Sequence, residues 1–189
     1  ELPVVVFLGQ RPGPSTGLPT YSCQTELFFA SNAGQGEFTR LVVAPGDLEE
    51  TCSWSAAALT LAWRYQMPSI VLYDKNLAEH GYNLDPGAVP EVPDLPPVLW
   101  DGSVPYRRYA ITDSGVSPLA FPSAKGAVVK VNGYAHGETG ITTEEPGMTR
   151  AMAEKRHRKM AGLARDLEGL HPVEVAGDPD ARTALLCWG

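Results

Sequence analysis

Residues 41–74, LVVAPGDLEETCSWSAAALTLAWRYQMPSIVLYD, decide the fold. The segment opens on the apolar run Leu41-Val-Val-Ala44, closed by Pro45-Gly46. Asp47 with Glu50 three residues on has the form of a capping box, which predicts a helix running to about Gln66. Pro68 ends that helix, and Ser69-Ile-Val-Leu-Tyr73 is a second apolar run with Asp74 at its C-terminal end. Upstream, Leu2-Pro-Val-Val-Val-Phe-Leu8 is a third such run, and Gln24–Asn32 reads as a short helix. Strand–helix–strand at this spacing predicts an α/β fold with a parallel sheet flanked by helices. Continuous apolar runs predict strands buried on both faces. In such sheets ligands meet the loops that leave the C-terminal strand ends. Those loops are Gly9–Thr20, Pro45–Gly46 and Asp74–Gly81.

The chain has 189 residues and mass 20.3 kDa, enough for one domain of ordinary size or one and part of another. Fifteen Lys and Arg against 22 Asp and Glu give a net charge of −7, which argues against a general nucleic-acid or acidic-membrane binder. No run approaches the ~18 apolar residues of a membrane span. Three cysteines, Cys23, Cys52 and Cys187, show no CxxC spacing and suggest no disulfide framework, zinc site or iron–sulfur site. A reducing, cytoplasmic compartment is the expectation. The chain begins on one strand-like run and ends on another, Thr183–Gly189, and so reads as a piece of a longer polypeptide.

From Asn83 to Pro105 six prolines break the pattern and favour extended geometry. This stretch is either a linker or an arm lying on a partner chain, since Val89, Val92, Leu95, Val98, Leu99 and Trp100 would otherwise be exposed. Tyr106–Thr112, Ala127–Asn132 and Pro172–Ala176 are strand-like. Met148, Met152, Met160, Leu163, Leu167 and Leu170 fall at helical spacing and predict an amphipathic helix at about 147–168, with the Met stripe as core or interface. The run Lys155-Arg-His-Arg-Lys159 reads as a solvated helix face, given Glu154, Asp166 and Glu168 around it, with a ferredoxin or subunit dock as the alternative.

The richest chemistry lies in Gln10-Arg-Pro-Gly-Pro-Ser-Thr-Gly-Leu-Pro-Thr20. Prolines restrict the loop, and Gly13 and Gly17 let backbone N–H groups approach an anion. Arg11 can grip a carboxylate through two parallel hydrogen bonds and Thr20 can add a third, with Ser15 and Thr16 shaping the loop. This is either a carboxylate clamp or an ordered loop with a surface arginine. It is neither a Walker A loop nor GxGxxG, and Ser15 has no GxSxG elbow. His136 and Glu138 form either an acid–base pair, half a metal site, or a hydrogen-bonded loop near the site or a subunit contact. Asp74, at a strand end, reads as a helix cap or loop anchor rather than a catalyst.

The same residues resemble the alpha subunit of the 2-oxoacid:ferredoxin oxidoreductases. Residues 10–20 look like that family's QRGGPSTGLPT segment. The likeness continues through Gly34-Gln-Gly-Glu37, Val43-Ala-Pro-Gly46, Tyr65-Gln-Met-Pro68, Val71-Leu-Tyr-Asp74 and Gly115-Val-Ser-Pro118. His136-Gly-Glu138, Thr143-Glu-Glu-Pro146 and Glu154–Lys159 complete it.

The resemblance implies a thiamine diphosphate-dependent enzyme that decarboxylates a 2-oxoacid, transfers the acyl group to coenzyme A and sends electrons to ferredoxin. It implies that Arg11 and Thr20 recognise the substrate, with no catalytic residue and no metal ligand on this chain. The beta subunit would hold the diphosphate, Mg and the iron–sulfur cluster. Residues 1–82 would be the second half of a pyrimidine-binding domain, so the fold is incomplete, with 83–105 a Pro-rich linker or arm. Residues 106–176 would be a C-terminal extension and 177–189 the start of a following domain. Pro12, Gln35 and Gly137 depart from the family's usual Gly, His and acidic residue, and its activating glutamate has no counterpart here. The alternative is a non-catalytic interaction module that retains half of the enzyme fold.

Overall fold

The computed structural model describes all of residues 1–189. Three strands, β1 (Val4–Gly9), β2 (Leu41–Val43) and β3 (Pro68–Tyr73), form one parallel sheet in the order β1-β3-β2. Gly9 pairs with Tyr73, so β1 and β3 end together, while Val43 pairs with Val71 and β2 stops two positions earlier; the C-terminal ends of all three parallel strands face the same edge.

The connecting helices are α1 (Leu27–Asn32) and α2 (Leu48–Tyr65). As expected, Asp47 caps α2 by accepting from the Glu50 backbone N–H at 2.7 Å. The Glu50 carboxylate closes the turn from the other side by accepting from the Gly46 N–H at 2.8 Å. Gln66 ends α2 in the left-handed conformation. A five-residue helix, α3 (Lys75–Glu79), follows β3 and is capped by Asp74, which accepts from the Leu77 N–H at 2.9 Å.

Burial separates the strands. β3 lies between the other two and is buried, whereas Val4, Val6 and Phe7 of β1 are exposed. The reading of β1 as buried on both faces is therefore corrected: β1 is an edge strand. The core lies on the α2 side, where Leu41, Ala58, Leu61, Tyr65, Met67, Val71, Val116 and Leu163 pack together. Leu95 and Val98 of the Pro-rich stretch also pack on this core, and Arg64 donates to the Pro96 carbonyl at 3.0 Å.

Residues 106–112, 127–132 and 172–176 form no strands. Beyond the sheet the pairing is limited to isolated bridges, Leu99 with Leu119 and His136 with Thr142. These stretches have apolar, extended sequence but no long neighbouring strand to pair with.

The last helix, α4 (Pro146–Glu168), matches the expected span. Its buried face is Met152, Lys155, Lys159 and Leu163, while Met160 is exposed. The lysines are thus corrected from a solvated face to the interior. Lys155 Nζ donates to the Glu1 carboxylate at 2.7 Å, and Lys159 Nζ lies 3.7 Å from the same group. Arg108 is buried beside them, donating to Gln66 Oε1 at 2.7 Å and to the Glu1 carbonyl. Burial pushes the Lys159 ammonium down to about 8, with Glu1 opposing. Burial pushes the Glu1 carboxyl up, but Lys159 and Lys155 outweigh it and hold it below its usual range.

Gly115 makes this approach possible. Its φ is +77°, and a side-chain carbon there would lie 2.3 Å from the Lys155 carbonyl oxygen.

Glu1→Gln leaves the two buried lysines without a counter-charge and should destabilise the fold by about 3–5 kcal/mol in urea unfolding. Lys155→Met should cost less, because Lys159 still faces Glu1. Since the folded-state Glu1 carboxyl titrates below 4.5, its contribution is present above pH 4.5 and is lost as pH falls below it. The gap between wild type and Glu1→Gln should close over that range. Gly115→Ala should destabilise by about 2–4 kcal/mol, through backbone strain and displacement of α4. An unchanged denaturation midpoint would show that α4 is not held against residue 115.

Candidate functional site

β1 delivers Gln10 and Arg11 to the edge where all three strands end. The Gln10 backbone N–H donates to the Tyr73 carbonyl at 2.8 Å, extending the β1–β3 pairing by one bond. The chain then turns away in a loop that closes on itself. The Leu18 N–H donates to the Pro12 carbonyl at 3.0 Å and the Tyr21 N–H to the Leu18 carbonyl at 3.2 Å. Gly17 has φ +51°, and a side-chain carbon there would lie 1.9 Å from the Pro12 carbonyl oxygen, so only glycine fits. Gly13, Ser15, Thr16, Gly17 and Thr20 are all exposed on this loop.

Arg11 is held from two directions. Its backbone N–H donates to Glu26 Oε1 at 3.1 Å, and its Nη1 donates to the Gly9 carbonyl at 3.3 Å. Its Nε is buried with no partner. No hydrogen bond joins Arg11 to Thr20; the two are ends of the same loop. The arginine therefore carries its charge at the strand edge with only one long, neutral contact from its side chain.

Gln10 is the residue that the sequence reading left aside. Its side chain is 2% exposed, and both Nε2 and Oε1 are buried with no hydrogen-bond partner. Each unmet group costs about 1–3 kcal/mol, and folded proteins rarely retain such a pair. The end of the chain lies over this amide. Gln24 donates to the Trp188 carbonyl, and a side-chain carbon at Gly189 would lie 3.9 Å from Gln10 Nε2. The Trp188 indole N–H is also buried without a partner. Glu26 and Gln24 were missed as well. Their signal is only that they follow the clamp loop and precede α1.

His136 and Glu138 belong elsewhere. The His136 ring stacks on buried Tyr109 with centres 3.9 Å apart, and its Nδ1 lies 2.6 Å from the Tyr134 carbonyl oxygen. Glu138 pairs with Arg107 at 2.7 Å and accepts from the Ile111 N–H at 2.9 Å. These contacts brace residues 106–143 and none reaches the 10–20 loop. A separate 410 Å³ cleft between α2 and α4 is lined by Arg64, Tyr65, Arg158, Arg165 and Asp166 and shares no residue with the strand ends. Tyr65 donates to Asp166 there at 2.6 Å; burial, with that acceptor, raises the phenol well above its ordinary range. No helix is long and apolar enough to cross a membrane.

The edge thus offers one arginine, one buried carboxamide with an unmet donor and acceptor, and a closed Gly/Pro loop.

Comparison with known proteins identifies the family. The chain is 35% identical over 193 residues to 2-oxoacid:ferredoxin oxidoreductase 1, subunit alpha, of Sulfurisphaera tokodaii, covering all of this chain and 30% of that protein. It is 31% identical over 195 residues to 2-oxoglutarate oxidoreductase subunit KorA of Mycobacterium tuberculosis, covering all of this chain and 29% of that one. The chain thus spans about a third of the length of these curated relatives. A solved structure, the 2-oxoglutarate:ferredoxin oxidoreductase of Magnetococcus marinus with 2-oxoglutarate, coenzyme A and succinyl-CoA bound, matches with TM-score 0.77 and 35% identity. That match covers 86% of this chain and 28% of the other. Residues 1–155 match the model of the pyruvate flavodoxin/ferredoxin oxidoreductase thiamine diphosphate-binding domain. With its parallel sheet and the loop at residues 10–20, the chain belongs to that family of thiamine diphosphate-binding oxidoreductase domains.

Proposed function

We propose that this chain is the substrate-recognising part of the alpha subunit of a 2-oxoacid:ferredoxin oxidoreductase. The reaction converts a 2-oxoacid and coenzyme A to acyl-CoA, carbon dioxide and a proton, with two electrons passed to ferredoxin. The single observation that carries the reading is Arg11 at the C-terminal end of β1, buried at Nε and bonded through its side chain only to the Gly9 carbonyl at 3.3 Å. Replacing that contact by two charge-assisted bonds to a carboxylate is favourable, and every 2-oxoacid presents a carboxylate. Thr20, on the same loop, supplies a hydroxyl donor to the same group, and Gly13–Gly17 shapes the entrance.

Bound thiamine diphosphate supplies an electron sink for loss of the carboxylate carbon. Gln10 fits its ring end by offering an unmet donor and acceptor. Following the family resemblance, the reading assigns the diphosphate, Mg and the iron–sulfur cluster to the beta subunit. Coenzyme A, ferredoxin and a heteromeric, cytoplasmic enzyme complete it. Residues 1–82 serve as the second half of the pyrimidine domain, 83–105 as a Pro-rich linker or arm, 106–176 as an extension and 177–189 as the start of the next domain.

In the full-length alpha subunit assembled with its partner, Arg11→Ala should raise KM for the 2-oxoacid about 10–100-fold, with a smaller change in kcat. Thr20→Val should raise it only several-fold, the loss of one hydrogen bond. An unchanged KM in Arg11→Ala would refute the clamp. A purified protein that binds neither cofactor nor 2-oxoacid would instead match an interaction module retaining half of the enzyme fold.

A further inference from the structure

We infer that Gln10 reads the amino-substituted ring edge of the cofactor, as a positioning residue separate from the Arg11 carboxylate clamp. This rests on the function proposed above and names a further contact in that same site.

The inference follows from what the Gln10 carboxamide lacks. Both its atoms are buried and unpartnered, one a donor and one an acceptor, at the edge where the parallel strands end. A carboxylate or diphosphate only accepts hydrogen bonds. It would satisfy Nε2 and leave Oε1 facing another oxygen. A matching ligand must present a donor beside an acceptor. The aminopyrimidine ring of thiamine does so, with an amino group next to a ring nitrogen, and a primary amide pairs with that edge through two parallel bonds. The carboxylate of a 2-oxoacid matches Arg11 instead, so adjacent residues sort the two ligands by chemistry.

The backbone holds the amide in place. The Gln10 N–H is fixed to Tyr73 at 2.8 Å, and the next N–H, of Arg11, is fixed to Glu26 at 3.1 Å. Both main-chain donors on either side of the Gln10 Cα are therefore engaged, which leaves the side chain as the free reader. Residues 188–189 lie beside it, tied by the hydrogen bond from Gln24 to the Trp188 carbonyl.

The test is cofactor binding by the assembled full-length enzyme, stripped of cofactor and titrated calorimetrically in Mg-containing buffer. The titrants are thiamine diphosphate and its analogue with the ring amino group replaced by hydrogen. Wild type should prefer the natural cofactor by about tenfold or more, the discrimination expected where a buried polar group is left unpaired. Gln10→Leu should bind thiamine diphosphate about tenfold more weakly and lose the preference. Its cofactor-free thermal midpoint should not fall below wild type, because the substitution removes two orphaned polar atoms. Should Gln10→Leu not fold, Gln10→Met carries the same comparison. Retained discrimination in the variant, or none in wild type, overturns the inference. An assembled wild-type enzyme that binds no thiamine diphosphate overturns the proposed function as well. Normal cofactor binding together with an Arg11→Ala effect confined to KM would leave that function standing while the Gln10 inference fails on its own.

Discussion

Lys155 and Lys159 of α4 share one buried carboxylate, Glu1, at the head of β1. An edge strand with half its residues exposed has little packing of its own to fix its position. Here that position is set by charge. Two lysines face the Glu1 carboxylate and Arg108 its main-chain carbonyl in the interior, where an unpaired charge is costly. The same contacts bring α4 down on Gly115 and place Arg108 on Gln66 at the end of α2. The start of β1 is thus tied to the last helix and to the central helix. Because β1 is only six residues long, fixing its head also fixes where its C-terminal end delivers Gln10 and Arg11.

At that end the logic reverses. The head of the strand satisfies its charges, whereas the far end leaves polar atoms unmet: both atoms of the Gln10 amide, Arg11 Nε and the Trp188 indole. Stability favours pairing these groups and function favours keeping them free. The loop that follows resolves part of the conflict by bonding only to itself, Leu18 to Pro12 and Tyr21 to Leu18, so that it encloses the edge without consuming its donors.

The parts of the fold that were legible in the sequence are those governed by neighbours in the chain. Asp47 and Glu50 mark the start of α2 through local hydrogen bonds and Pro68 its end by lacking a backbone donor, and the structure places β2, α2 and β3 where these residues indicate; Asp74 caps α3, a short helix inside the stretch read as a loop. What was not legible depends on distant partners. Leu2–Leu8 has the composition of a central strand, and nothing local shows that it lies at the edge. Lys155 and Lys159 look solvated because their counter-charge is remote in the sequence, 154 residues from Lys155. The clue was periodicity: with Met152 and Leu163 they fall on one helical face. In the site, Arg11 stood out by charge, while Gln10, a neutral residue at a strand end, became notable only once its burial was known. His136 and Glu138 drew notice by residue type and prove to be tied to Tyr109, Arg107 and Ile111.

The central claim is that the C-terminal end of β1 receives the substrate carboxylate. The most direct measurement is a crystal structure of the assembled full-length enzyme soaked with a 2-oxoacid. The account predicts that the Arg11 guanidinium leaves the Gly9 carbonyl and takes the carboxylate at about 2.7–2.9 Å through both of its terminal nitrogens. A 2-oxoacid bound elsewhere, with Arg11 still folded onto Gly9, would contradict it.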